Sequence, residues 1–149
     1  MLSNLINRLQ QPERERDPAH LEALAAAALL LEVAWSDHEI TEAELRLIEE
    51  HLEKQLALSH AEVAELVEES RQAHEESVGV YGYTRTINEC WDEEHKFRLV
   101  TALWRLALAD EDLSRYEEHT IRKISELLYL THPRYIEAKL TAKRDAGLA

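Results

Sequence analysis

An acidic turn that occurs twice in the chain, 73 residues apart, limits the possible folds most strongly. A shift of 73 positions lays residues 34–41 (AWSDHEIT) on residues 107–114 (ALADEDLS). The same shift places Glu44 on Glu117 and Ile48 on Ile121. A repeat that includes the flanking helical patterns predicts two similar units that share one core, and a pseudo-twofold axis is their simplest relation.

The repeat extends to a third helical pattern in each unit. With the same offset, Val63 matches Ile136 and Val67 matches Leu140. We therefore predict pseudo-repeats over about 21–78 and 90–144, in which Ile136 and Leu140 are inner residues of the last helix.

The scarcity of chain-breaking residues favours helix throughout. The 149 residues include three Gly and three Pro, too few for the turns that a sheet requires. We predict an all-α fold, a single-domain bundle of about seven to eight helices made of the two repeated units. Residues 1–17 are interpreted as a short helix with a linker, and residues 18–149 as the helical domain.

Helix starts can be placed from capping patterns. Asp17 before Pro18 is typical of a first helical turn, and Thr131 or His132 before Pro133 predicts the start of the last helix. Capping boxes are predicted for three pairs: Thr41 with Glu44, Ser59 with Glu62, and Ser114 with Glu117.

The segment 78–84 (VGVYGYT) contains two of the three glycines and is interpreted as a tight joint between the halves. Trp35 and Trp104 lie at helical spacing among apolar residues, so we expect them in the core. Cys90 is the only cysteine, which excludes an internal disulfide.

The negative charge is concentrated in the first half. Residues 1–78 hold 18 acidic and 6 basic residues, whereas the remainder holds 12 and 11. Such a surface repels phosphate backbones and attracts cations or basic partners. We expect a protein partner and no nucleic-acid binding, although charged helix surfaces also serve solubility alone.

The acidic turns supply carboxylates that could bind a divalent cation. Hard oxygen ligands suit Ca²⁺ or Mg²⁺, and six residues are candidates: Asp37, Glu39, Glu44, Asp110, Asp112 and Glu117. An EF-hand is excluded, since neither turn has the required glycine at position 6 or glutamate at position 12. The other interpretation is structural: Glu44 and Glu117 complete capping boxes, and the aspartates bond to their own turns.

The eight histidines do not form a recognisable metal motif. The chain has no HExxH, and no histidine lies three residues after a glutamate, as a di-iron bundle would require. We expect most of them at the surface. His51, His95 and His119 each follow two acidic residues, which should shift their titration.

These turns resemble those of the TerB-like family, named for tellurite resistance and also found in a DnaJ-class co-chaperone. The shared pattern is Ala/Ser-Asp-x-acid-hydrophobic followed by Glu, and the chain has it twice. The stretch ADEDLSRYEEHTIRKISELLYLTHPRYIEAKL, from residue 109 to 140, is similar to an uncharacterised bacterial branch. His38 and Glu111 replace the usual glycine. The resemblance, over roughly residues 21–143, implies an all-helical fold, tellurite or stress resistance, and a metal-binding acidic face.

No catalytic motif accompanies these features, so we do not expect an enzyme. The N-terminal residues lack the pattern of a signal peptide and the longest apolar run, 23–31, is too short to span a bilayer, which favours a cytoplasmic location.

The leading hypothesis is a non-catalytic interaction module that presents an acidic face to a partner, with or without a divalent cation. The alternatives are a dedicated Ca²⁺- or Mg²⁺-type binding protein and, less favoured, a membrane-peripheral adaptor using Arg134, Lys139, Lys143 and Arg144.

Overall fold

The computed structural model describes residues 18–35, 40–75, 80–109 and 115–147, without the side chains of residues 18, 73–75 and 115–117. This part of the chain contains seven helices and no strand: α1 (Pro18–Ala34), α2 (Glu42–Leu56), α3 (His60–Glu75), α4 (Val80–Cys90), α5 (Glu93–Ala109), α6 (Arg115–Leu127) and α7 (His132–Asp145). The predicted all-α fold is confirmed. The helix and linker predicted within residues 1–17 lie outside the described residues.

Helix α1 lies at the centre of the bundle. It contacts α2, α3, α4, α5 and α6. Residues 25–31 (AAAALLL) are all at most 8% exposed, so this helix is buried on every side rather than along one stripe. A helix that is apolar all round is stable only when neighbours cover its whole circumference. Near the N-terminus of α1, Leu21 is 42% exposed.

Helix α5 forms the second half of the core. It packs most extensively on α7 and also contacts α1, α2 and α6. Trp104 is fully buried, with its ring centroid 5.7 Å from that of Tyr135 on α7. The core position of Trp104 is therefore confirmed. Trp35 is only half-buried, and the Arg71 guanidinium lies 5.9 Å from its ring centroid.

The predicted helix starts that can be tested are correct. Thr41 and Glu44 form a complete capping box at the start of α2. The Ser59 and Glu62 pair exchanges the same two hydrogen bonds at the start of α3, each 3.2 Å long. Thr131 is the N-cap of α7. The Ser114 and Glu117 pair lies outside the described residues and side chains.

The interpretation of residues 78–84 as a tight joint is wrong for its larger part. From Val80 the chain forms α4, eleven residues that pack extensively on α1. Thr84 and Ile87 are buried on one face, whereas Gly82 is exposed and has open space around it. An exposed glycine only weakens a helix, and the tertiary contact with α1 outweighs that cost.

The predicted inner positions of α7 are also wrong. Ile136 is 37% exposed and Leu140 49%, whereas Tyr135, Ala138 and Ala142 are buried. The reason is a change of register. Ser59 caps α3 and Thr131 caps α7, so these two caps are 72 positions apart rather than the 73 of the repeat. A shift of one residue rotates the buried face of a helix by about 100°.

Contacts between the halves are reciprocal: α2 touches α5, and α6 touches α1. Helices α2 and α6 begin 73 positions apart. These observations agree with two similar units around a shared core, and the pseudo-twofold axis stays a prediction.

Candidate functional site

The first acidic turn is described from Ile40 onward, and in it Glu44 is 2% exposed. The Thr41 backbone N–H and its Oγ1 hydroxyl both donate to Glu44 Oε1, at 3.1 and 3.0 Å. The Glu44 N–H donates in return to Thr41 Oγ1 at 3.1 Å. One oxygen of this candidate metal ligand is thus occupied by the helix start, which supports the structural interpretation of Glu44.

The other candidate ligands belong to parts of the chain that the structure does not describe. Asp37, Glu39, Asp110 and Asp112 lie outside the described residues, and the side chain of Glu117 on α6 is not described. Within the described ranges, His, Cys, Asp and Glu side chains form no group of three that could hold a metal ion. The two acidic turns nevertheless precede α2 and α6, at corresponding places in the two halves.

Helices α2 and α3 carry most of the acidic excess. Residues 42–75 include ten carboxylates and three Lys or Arg. Several of these carboxylates are exposed and form what we call the α2–α3 acidic surface: Glu42, Glu50, Glu62, Glu65 and Glu68. The helices pack on each other, and α3 otherwise lies mainly against α1, so this surface faces outward.

His51 lies on α2 close to α5. Burial, and then the positive charge of Arg105, lowers its pKa from 6.5 to about 4. The sequence attributed a shift to the acidic residues before it, but the dominant cause is desolvation, which disfavours the charged form.

Three other histidines contact carboxylates. His20 Nε2 is 3.2 Å from Glu69 Oε2, which joins α1 to α3, and His60 Nδ1 is 3.1 Å from Glu53 Oε1. The His95 N–H donates to Asp92 Oδ1 at 2.9 Å, and this hydrogen bond lowers the pKa of Asp92. Asp92 is therefore a cap at the start of α5.

Cys90 is exposed at the end of α4. A hydrogen bond with Glu22, partial desolvation and the negative charges of Glu22 and Glu89 raise the pKa of its thiol. A thiol with a raised pKa is a poor nucleophile at neutral pH because the thiolate is scarce.

The basic residues of α7 are partly engaged within the fold. Arg134 donates to Glu93 Oε1 at 2.6 Å and to Glu94 Oε2 at 3.1 Å on α5, and to Glu137 at 2.9 Å. Lys139 Nζ lies 3.6 Å from Glu118 Oε1. Two of the four cations considered for a membrane surface therefore already face carboxylates. None of the described helices is both long enough and apolar enough to cross a bilayer.

A cleft of about 470 Å³ lies between α4 and the end of α6, where the sequence predicted no site. Its lining includes Tyr81, Arg85, Asn88, Glu89, Leu127 and Tyr129. Asn88 Nδ2 donates to the Leu127 carbonyl oxygen at 2.9 Å, while Asn88 Oδ1 is buried without a hydrogen-bond partner. We call this feature the α4–α6 cleft.

The sequence from residue 23 to 140 matches the family described as Tellurite resistance protein TerB. The chain belongs to the TerB family. The match includes both acidic turns and α2 through most of α7, so the family assignment rests on the bundle and not on the turns alone.

A solved structure supports the TerB-family fold. A protein of unknown function from Porphyromonas gingivalis W83 superposes with a TM-score of 0.61 at 21% identity, over 84% of this chain and 95% of that one. At this identity the likeness shows the fold alone. No curated protein matches the sequence.

Proposed function

We propose that this TerB-family chain is a non-catalytic interaction module of a tellurite- or stress-resistance system, and that it binds a protein partner through the α2–α3 acidic surface. The observation that carries the proposal is the concentration of ten carboxylates against three cations on residues 42–75. Such a local excess steers and orients a basic partner. The cytoplasm is the proposed location.

Removal of charge from this surface should abolish partner binding without unfolding the protein. We expect the triple variant Glu42→Gln, Glu50→Gln, Glu68→Gln to lose capture of the partner that co-purifies with the wild type, and to lose complementation of a tellurite-sensitive deletion strain. All three side chains are exposed, so the thermal midpoint should change little. Mass spectrometry of captured proteins and growth on tellurite are the measurements.

The matched control removes the same charge elsewhere. Glu118→Gln, Glu126→Gln and Asp145→Asn alter carboxylates on α6 and α7 and should retain both activities. Equal capture and equal growth with the two triple variants would show that the acidic surface is not the binding surface.

The second candidate function is binding of a Ca²⁺- or Mg²⁺-type ion by the two acidic turns. The observation that favours it is their equivalent position before α2 and α6. The candidate ligands remain Asp37, Glu39, Glu44, Asp110, Asp112 and Glu117, although Glu44 already accepts two hydrogen bonds through one oxygen.

Divalent ions should raise the thermal midpoint of chelator-stripped protein if this second candidate is correct. An ion at about 100 times its dissociation constant adds roughly 2.7 kcal/mol to the free energy of unfolding. The measurement is thermal unfolding during titration with Ca²⁺, Mg²⁺, Mn²⁺ and Zn²⁺. The shift should vanish in the double variant Asp37→Asn, Asp110→Asn, and absence of any shift in the wild type would eliminate metal binding.

The membrane-peripheral alternative receives less support, because Arg134 and Lys139 already pair with carboxylates of the fold. Only Lys143 and Arg144 would remain of the proposed basic patch. Sedimentation with anionic vesicles at low salt would test it.

A further inference from the structure

Tyr129 occupies a backbone position that normally belongs to glycine. The Leu130 N–H donates to the Ser125 carbonyl oxygen at 3.1 Å and the Tyr129 N–H to that of Glu126 at 3.0 Å, which is the Schellman ending of α6. The residue at this place is left-handed, and Tyr129 has a φ of 58°. A side chain with a Cβ is strained there, and glycine is not.

The Tyr129 ring gains no burial that would offset the strain. It is 81% exposed, the most exposed of the large apolar or aromatic side chains described. Because the turn itself would be more stable with glycine, the ring contributes to the surface and not to the fold.

A second exposed ring lies on the other side of the α4–α6 cleft. Tyr81 on α4 is 65% exposed, and both tyrosines line the cleft. Tyrosine offers a large, rigid contact area with a polar end, and it is enriched in binding surfaces for that reason. Two exposed rings around one cleft are suited to hold an apolar or aromatic side chain between them.

Two cations lie at the cleft. Arg85 lines it, and Lys123 Nζ lies 5.7 Å from the centroid of the Tyr81 ring. In the described part of the chain neither cation has a carboxylate partner, and Glu89 is the acidic residue of the lining. An anionic group that enters the cleft would therefore find two cations without a carboxylate partner and one carboxylate, that of Glu89, a local net charge of +1.

The net charge of −13 decides between kinds of anionic ligand. A nucleic acid extends well beyond the cleft and would be repelled by the acidic half. A short peptide can place its carboxylates within a Debye length of about 8 Å of Arg85 and Lys123.

We propose that the α4–α6 cleft is a docking site for a short acidic peptide segment of a protein partner, with Tyr81 and Tyr129 flanking an apolar side chain and Arg85 and Lys123 pairing with carboxylates. This surface is separate from the α2–α3 acidic surface, so the two bind segments of opposite charge and either proposal can fail without the other.

The test uses a fluorescein-labelled octapeptide that contains four glutamates and one phenylalanine, with matched peptides in which the glutamates are replaced by glutamines or lysines. We expect saturable binding of the glutamate peptide by fluorescence anisotropy, below about 1 mM and weakened by salt. Amide chemical-shift changes should be confined to residues 81–89 and 123–130. The glutamine and lysine peptides should bind more weakly.

Two variants separate binding from folding. Tyr129→Gly should weaken binding about tenfold, the effect of losing an aromatic anchor, while the thermal midpoint stays at or above the wild-type value. Arg85→Gln should weaken binding about threefold, as expected for an exposed ion pair. Arg144→Gln removes the same charge outside the cleft and should bind as the wild type does.

Each of the following results would overturn the proposal: no saturable binding of the glutamate peptide, equal binding of the lysine peptide, shift changes outside the cleft, or wild-type binding by Tyr129→Gly. Tighter binding of a labelled hexathymidylate would overturn it in favour of a nucleic-acid ligand. Concentration-dependent dimerisation that blocks the peptide would show that a second copy of the chain occupies the cleft.

Discussion

Replacement of Trp104 by alanine is expected to lower the free energy of unfolding by roughly 3–5 kcal/mol. Trp104 is fully buried on α5, and its ring packs on Tyr135 with the Lys139 ammonium 5.0 Å from its centroid. The variant loses these contacts and leaves a cavity that the two helices cannot close. Since domains are stable by only about 5–15 kcal/mol, urea denaturation should show a much lower midpoint.

Trp91 offers the matched control for this prediction. It is only half-buried, between α4 and α5, so Trp91→Ala should cost substantially less. Trp104→Phe should also cost less than alanine, because it keeps a ring against Tyr135 and removes the buried Nε1–H that has no partner. If Trp104→Ala lowers the free energy of unfolding no more than Trp91→Ala does, the central place of Trp104 in the core is refuted.

Acidification is expected to destabilise the protein through His51, by about 2–3 kcal/mol at pH 4.5. The folded-state pKa is lowered to about 4, whereas the unfolded chain takes up the proton near 6.5. Below pH 6.5 the unfolded state therefore binds more protons than the folded state. Near pH 7 His51 is neutral in both states and costs almost no stability. The free energy of unfolding then falls as the pH drops from about 6.5 to 4.

Comparison of wild type with His51→Gln isolates this contribution, because protonation of carboxylates is common to both proteins. The difference in unfolding free energy between them, from urea denaturation at pH 7.0, 5.5 and 4.5, should change in favour of the variant as the pH falls. His119→Gln, which removes an exposed histidine, controls for loss of a histidine as such. A difference that stays constant with pH would refute the lowered pKa.

Much of the fold could be predicted because its signals are local. Side-chain hydrogen bonds of Thr41, Ser59 and Thr131 act on amides within three residues, so the sequence alone indicates the starts of α2, α3 and α7. The inner faces of α5 and α6 follow helical spacing in the same way, and Ile121 and Ile124 on α6, with Leu128 directly after it, are all fully buried.

The errors at α4 and α7 have different physical causes. Helix α4 contains Gly82 and follows Gly79, both of which favour a turn, yet its contact with α1 makes it a helix. In α7 the predicted offset of 73 fails, because the N-caps Ser59 and Thr131 are 72 positions apart, so Ile136 is exposed and Tyr135 is buried. No spacing rule detects such a change without knowledge of where the preceding helix ends.

The candidate sites also differ in how far the sequence predicts them. The carboxylates of the acidic turns could be selected from the sequence because they recur at a fixed interval. The α4–α6 cleft could not, since it combines the unpredicted helix α4 with residues about 40 positions later. The left-handed conformation of Tyr129 could not be predicted either, because glycine is the residue that usually indicates this turn in a sequence.

Burial of α1 on all sides has a consequence for the newly made chain. Its apolar surface is complete when Ala34 has been synthesised, but α5 begins only at Glu93 and α6 at Arg115. At roughly 5–20 residues per second, α1 waits several seconds for the helices that cover it. During that time AAAALLL is an exposed apolar segment, so the nascent protein should depend on chaperone protection far more than the acidic finished molecule does.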